Sequence, residues 1–159
     1  MGQSANAMLA YGYDLGGEEE WALRDLGEYG ELPALGWYDP ETEDDEDFQA
    51  AAERRLLAEL ASFTEKWDPA DGGGYFDRKR AAKARLGVQF DSHCSGEYPM
   101  YLLAAQVITV DHGSVEEINP AELLATPPEW DTKLRAALDA LGINPTQETA
   151  RWLLCSYRD

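Results

Sequence analysis

The chain has 159 residues and a formal net charge of -18, with 44% hydrophobic and 11% aromatic residues. That length and apolar content suit one folded domain with a sizeable core and exclude a disordered tail. The charge excludes direct contact with nucleic acid or an acidic membrane surface, since such a field repels phosphates, and no apolar run approaches the ~20 residues of a spanning helix.

The opening MGQSANAMLAYGYD has no basic region ahead of a long apolar stretch, so no secretory signal is expected. Asn6 stands where a myristoylation signal needs Ser or Thr. A cytoplasmic location is the expectation. Cys94 and Cys155 form no disulfide framework and read as small buried hydrophobes. The charge is unevenly spread: residues 1–47 hold 14 acids against the single base Arg24, while residues 48–100 hold eight of each sign.

Residues 5–15 alternate as a strand, with Leu9, Tyr11 and Tyr13 on one face and Met8, Ala10 and Gly12 on the other. Gly16-Gly17 is expected to break it. Residues 16–47 form an acidic, aromatic excursion in which Gly27, Gly30, Pro33, Gly36 and Pro40 preclude a long element. Its Trp21, Tyr29, Trp37 and Tyr38 call for cover, so the excursion is expected to be ordered. A helix starts near Asp47, with Phe48, Ala52, Leu56, Leu60, Phe63 and Trp67 along one face, and Pro69 is expected to end it.

Gly72-Gly73-Gly74 reads as a joint before a second helix over 75–86, with Gly87 beyond its end. A hairpin follows. Val88, Phe90 and Cys94 alternate with Gln89, Asp91 and His93, residues 95–99 turn, and residues 101–110 form a strand apolar on both faces, which places it inside the sheet. On that strand Leu102, Ala104, Ile108 and Val110 are expected to share one face, and Tyr101, Leu103, Ala105 and Val107 the other. Asn119 caps a short helix begun by Pro120. Another helix follows Pro127-Pro128, with Trp130, Leu134, Ala137, Leu138 and Leu141 buried and Gly142 as its stop. Residues 151–158 form a last strand that returns to the sheet. The order defines an α+β fold: a mostly antiparallel sheet of about four strands with helices packed on at least one face, in a single domain over residues 1–159.

Candidate chemistry is sparse. The acidic run 41–47 lacks the spacing of a calcium loop and reads as a solvated helix N-terminus with charge favourable to the dipole. His93, Cys94, Asp111 and His112 are the only group resembling a nucleophile constellation. Strand alternation puts His93 and Cys94 on opposite faces, and Asp111-His112 lies at the far end of the neighbouring strand, so no catalytic residue is assigned. The glycine triplet lacks the lysine of a phosphate loop and no strand leads into it. The basic cluster Arg78 to Arg85 is expected to pair within the molecule with the acidic first third. No metal site and no cofactor are expected.

The excursion is the most distinctive segment. Interaction surfaces combine aromatic rings with charge, which points to a protein partner of basic character and to Trp21, Tyr29, Trp37, Tyr38, Asp44, Asp45, Glu46 and Asp47 as the partner-binding residues. Two alternatives stand beside that reading. One is an acidic mimic of nucleic acid that inhibits a DNA-binding protein, which needs a long rail of carboxylates at phosphate-like intervals. The other is a small thiol or carboxylate enzyme, which needs a pocket lined by His93, Cys94 or paired acids.

The stretches Asn6 to Gly17, Trp37-Tyr38-Asp39-Pro40, Ala52 to Leu57, Lys83 to Val88 and Tyr98 to Ala105 resemble small acidic proteins of Streptomyces-type actinobacteria and their phages, a family without known function. The likeness covers nearly the whole chain. It implies a cytoplasmic accessory protein of phage or prophage origin that binds a host protein, and it carries over no catalytic residue.

Overall fold

The computed structural model describes residues 4–41 and 46–158. Strand β1 (Ala5–Gly17) turns at Glu18-Glu19 into the two-residue strand β2 (Glu20–Trp21). Helix α1 (Phe48–Ala61) and helix α2 (Gly74–Leu86) follow, then β3 (Gln89–Cys94), β4 (Pro99–Val110), α3 (Pro120–Leu124), α4 (Pro128–Leu141) and β5 (Arg151–Arg158). These elements make the α+β arrangement expected from their order, with a five-stranded and mostly antiparallel sheet.

β1 carries most of the sheet. It pairs antiparallel with β4 along one edge and with β5 along the other, while β3 flanks β4 on its far side. A single parallel pairing, Cys94 with Tyr157, joins β3 to β5. The strand pairings therefore run in a closed circuit, β1–β4–β3–β5. Two irregularities in the β1–β4 pairing, an extra residue of β4 opposite Tyr11 and Gly12 and an extra residue of β1 between Asp14 and Gly16, supply the bend this requires. Gly12 is needed at the first of them, because a Cβ there would lie 1.9 Å from the backbone oxygen of Leu103. The side chain of Gln147 stitches the bend: its Oε1 accepts from the Asp14 N–H at 3.0 Å and its Nε2 donates to the Gly12 carbonyl at 2.7 Å. Gly16-Gly17 does not break the strand. Gly16 adopts φ +71 and both glycines keep their pairing with β4, at Tyr101 and Met100.

The sheet is apolar on both faces. On one, Tyr11, Tyr13, Leu15, Leu103 and Phe90 meet the buried stripes of α1 (Phe48, Ala52, Leu56) and α4 (Leu134, Ala137, Leu138, Leu141) in the main core. On the other, Met8, Ala10, Leu102 and Ala104 form a smaller core with Val107, Leu153, Cys155 and Tyr157. Val107 was expected with Leu103. The register gains a residue of β4 between its pairing with Gly12 and with Tyr11, which moves Val107 to the face of Ala104.

Three helix details differ from expectation or refine it. The Asp47 side chain caps α1 by accepting from the Ala50 N–H at 2.7 Å. The helix ends at Ala61, well before Pro69, because Ser62 turns left-handed at φ 52 and the N–H groups of Ser62 and Phe63 both reach the Leu57 carbonyl. Phe63 still reaches the core, whereas Trp67 is 59% exposed and Leu60 lies at the surface. Among the described residues the basic residues of α2 do pair within the molecule, but with acids beyond the acidic first third, residues 1–47. Arg78 binds Glu65 and Asp71, Arg80 binds Asp77, and Lys79 and Lys83 share Glu53.

The excursion is fastened through Phe48. Its ring lies 5.1 Å from Trp21, 5.5 Å from Trp37 and 5.1 Å from Tyr38 on one side, and 5.6 Å from Phe90 and 5.2 Å from Tyr101 on the sheet. Replacing Phe48 by Ala removes all five contacts and is expected to cost ~4 kcal/mol in urea denaturation, within the range of buried Phe truncations. Ser62→Gly relieves a left-handed backbone at an exposed site and is expected to raise stability by about 0.5–1 kcal/mol in the same measurement.

Candidate functional site

The fold brings acids from separate parts of the chain to one end of the molecule. The β1–β2 turn supplies Glu18, Glu19 and Glu20, all exposed. The β1–β4 register sets Gly17 opposite Met100, and this places the β3–β4 turn beside them. Glu18, Glu19, Glu20 and Glu97 then rim a depression of about 710 Å³ whose apolar lining comes from Tyr98, Pro99 and Met100, with Cys94 also at its wall. Tyr98 is 56% exposed there. The N-terminus of α1 adds to the same end: the charges of both Glu18 and Asp47 act on Tyr38 and on Tyr101. Burial first, and these carboxylates second, push the Tyr101 phenol up to about 12. Tyr38 is raised for the same reasons.

The residues expected to bind a partner fall in different places. Trp21 is buried, stacked 5.9 Å from Tyr101 and edge-on to Phe48, so its ring serves the core. Trp37 and Tyr38 are half-buried. The Trp37 Nε1–H donates to the Leu141 carbonyl at 2.8 Å, and its own carbonyl accepts from Arg54 at 3.1 Å. With Asp39, Glu46 and Arg54 these two aromatics line a shallow notch of about 210 Å³. Glu46 is paired with Arg54 at 2.9 Å, and Asp47 is the cap of α1. Tyr29 stands apart, 89% exposed, in a turn where its N–H donates to the Glu31 carboxylate. Asp44 and Asp45 lie outside the described residues. Thus Trp37, Tyr38, Glu46 and Asp47 are brought together around the start of α1, and Tyr29 is not.

Glu97, Tyr98 and Met100 escaped the sequence reading. They sit almost 80 positions from Glu18 in the chain. No local pattern links the two turns, and only the strand register does.

The thiol and imidazole groups are placed otherwise than expected. Cys94 is exposed, because its left-handed backbone (φ 73) at the end of β3 turns the side chain out of the sheet. His93 is half-buried rather than at the surface, and burial lowers its pKa, with Asp14 opposing. The two residues open into different depressions: Cys94 into the acidic one, His93 into one shared with Ser92, Tyr157 and Arg158. Cys155 belongs to the smaller core, and burial, helped by Asp14 and Asp91, pushes its thiol up and away from thiolate. Among the described residues no group of three or more His, Cys, Asp or Glu side chains is placed to hold a metal ion, and no helix is long and apolar enough to cross a membrane.

No protein-family model, curated protein or solved structure matches this chain.

The raised Tyr101 fixes the sign of one pH effect. A phenol that ionises at about 10 when unfolded and about 12 when folded stabilises the fold fully below pH 10, and that contribution drains away as pH rises towards 12. Urea denaturation across this window is expected to show a falling unfolding free energy, and the fall becomes shallower in Tyr101→Phe.

Proposed function

We propose that this protein is a non-enzymatic docking protein that binds a basic protein partner through its acidic, aromatic end. The observation that carries the reading is the depression ringed by Glu18, Glu19, Glu20 and Glu97 and lined by Tyr98, Pro99 and Met100. Carboxylates around an apolar lining complement a segment in which lysines or arginines alternate with apolar side chains. The charges steer the encounter and the apolar contacts retain the partner. Trp37 and Tyr38, beside Glu46 and Asp47, extend the same surface towards α1. The mixture of rings and acids favours docking over nucleic-acid mimicry, which calls for an unbroken carboxylate rail. A cytoplasmic setting and a phage or prophage origin, implied by the resemblance of the sequence, belong to this proposal as its biological frame: an accessory protein acting on a host protein.

The test is fluorescence anisotropy with a labelled peptide of alternating lysine and leucine, read at low and at high salt. Binding is expected to weaken steeply with salt and to fall at least about tenfold on reversing Glu18, Glu19 and Glu20 to Lys, three charges at the rim of one site. Reversing Glu116 and Glu117, beyond the other end of β4, should leave it unchanged. Equal losses from the two sets of reversals would reduce the effect to net charge and sink the proposal.

A further inference from the structure

A second depression adjoins the acidic one. The turn over residues 95–99 separates the two, and Pro99 lines both. Its volume is about 340 Å³, at the low end of the ~300–1,000 Å³ of small-molecule sites. The Cys94–Tyr157 pairing brings the end of β5 beside β3, so that Tyr157 and Arg158 line this depression together with Ser92, His93 and Tyr101.

The lining is rich in donors that lack acceptors. Arg158 is exposed, and among the described residues it forms no ion pair and no side-chain hydrogen bond. The same holds for the side-chain polar groups of Ser92, His93, Tyr101 and Tyr157. Tyr101 is the best defined of these. It is 4% exposed, and its ring is held by Trp21, Phe48 and Phe90. No buried side-chain polar atom among the described residues lacks a partner, so this unpartnered hydroxyl reaches solvent, and the depression is where Tyr101 borders it. A donor already fixed by packing loses little further freedom when a ligand accepts from it. The other polar groups on the wall are committed. Asp47 caps α1, Ser95 Oγ accepts from the Tyr98 N–H at 3.1 Å, and Gln49 Nε2 donates to the Phe90 carbonyl at 3.1 Å. An unpaired guanidinium beside free hydroxyls is the donor set that an oxyanion satisfies.

A free small anion is repelled here, because the charges of Glu18 and Asp47 act on Tyr101 and the whole chain carries -18. A carboxylate carried on a cationic chain is not repelled, since its lysines lie on those same acids. Resting on the docking reading above, we propose that this depression takes the free C-terminal carboxylate of the basic, apolar segment held at the acidic rim, with Arg158 as its counter-charge and the hydroxyls of Tyr101 and Ser92 as its donors. The partner then meets the acidic end by its last residues and not by an internal loop, a mode of capture known for chain termini.

The experiment is fluorescence anisotropy of the intact chain with an N-terminally labelled peptide of alternating lysine and leucine that ends in leucine, made as the free acid and as the C-terminal amide. Net charge alone favours the amide, which is the more cationic. The proposal expects the reverse: the free acid binds about tenfold tighter, the size of one charge-assisted contact. Arg158→Gln, at an exposed position, should abolish the preference. Tyr101→Phe, which keeps the ring packing, should reduce it by about threefold. Arg135→Gln, on α4 and outside the depression, should keep it. N-acetylleucine, a carboxylate without lysines, should not displace the peptide at equal concentration. Binding that weakens on reversal of Glu18, Glu19 and Glu20 but shows no preference for the free acid overturns this inference and leaves the docking reading standing. So does a preference that survives Arg158→Gln, or displacement by N-acetylleucine. Binding of neither peptide overturns both.

Discussion

The packing of Phe48 is the interaction on which the rest of this structure depends. An acidic segment of some thirty residues, broken by glycine and proline, has among its described residues little regular structure beyond β2 with which to satisfy itself. It is held because Trp21, Trp37 and Tyr38 close on one side of a phenyl ring whose other side rests on Phe90 and Tyr101 of the sheet. Each aromatic pair adds ~0.5–1.5 kcal/mol beyond area burial, enough together to offset part of the entropy of ordering the segment. The same ring is the first residue of α1, immediately after the Asp47 cap. One position thus joins the loop, the helix start and the sheet.

That junction explains how so much negative charge can be gathered at one end. The bases of α2 are engaged locally with Glu53, Glu65, Asp71 and Asp77, so they do not neutralise Glu18, Glu19 or Glu20. Self-repulsion among these exposed groups is tolerable because water and salt screen it over ~10 Å. The aromatic packing beneath holds them in place regardless. A surface of this kind has its charge fixed in position and available to a partner, which a flexible acidic tail does not.

Much of the architecture was legible in the sequence, for identifiable reasons. β1, α4 and β5 follow clean periodicities, and α2 and α4 carry the ordinary terminators Gly87 and Gly142. The expectation that the excursion is ordered rested on its aromatic content, and the ring contacts account for it. What escaped the reading depends on single backbone choices or on long-range register. Ser62 ends α1 in a conformation that glycine usually takes, so the apolar spacing through Trp67 was misleading. The extra residue in β4 moved Val107 across the sheet. Cys94 left the interior through one positive φ. Of the candidate surface, Glu18–Glu20 could be read as acidic, but Glu97, Tyr98 and Met100 join it only through the pairing of Gly17 with Met100. Trp21, indistinguishable from Trp37 by composition, differs from it in burial because it stands in β2.

The bracing of β1 between β4 and β5 also sets the order in which this molecule can be assembled. β1 and β5 are more than 130 residues apart in the chain, so one edge of the longest strand waits until residues 151–158 are present. Meanwhile its backbone donors and acceptors on that edge, over Ala5 to Gly12, face water or whatever strand is at hand. Pairings so distant in sequence make for slow folding. During synthesis on the ribosome, β1 would be made well before the strand that completes it, and the dense negative charge directly following it would help keep neighbouring unfinished chains apart.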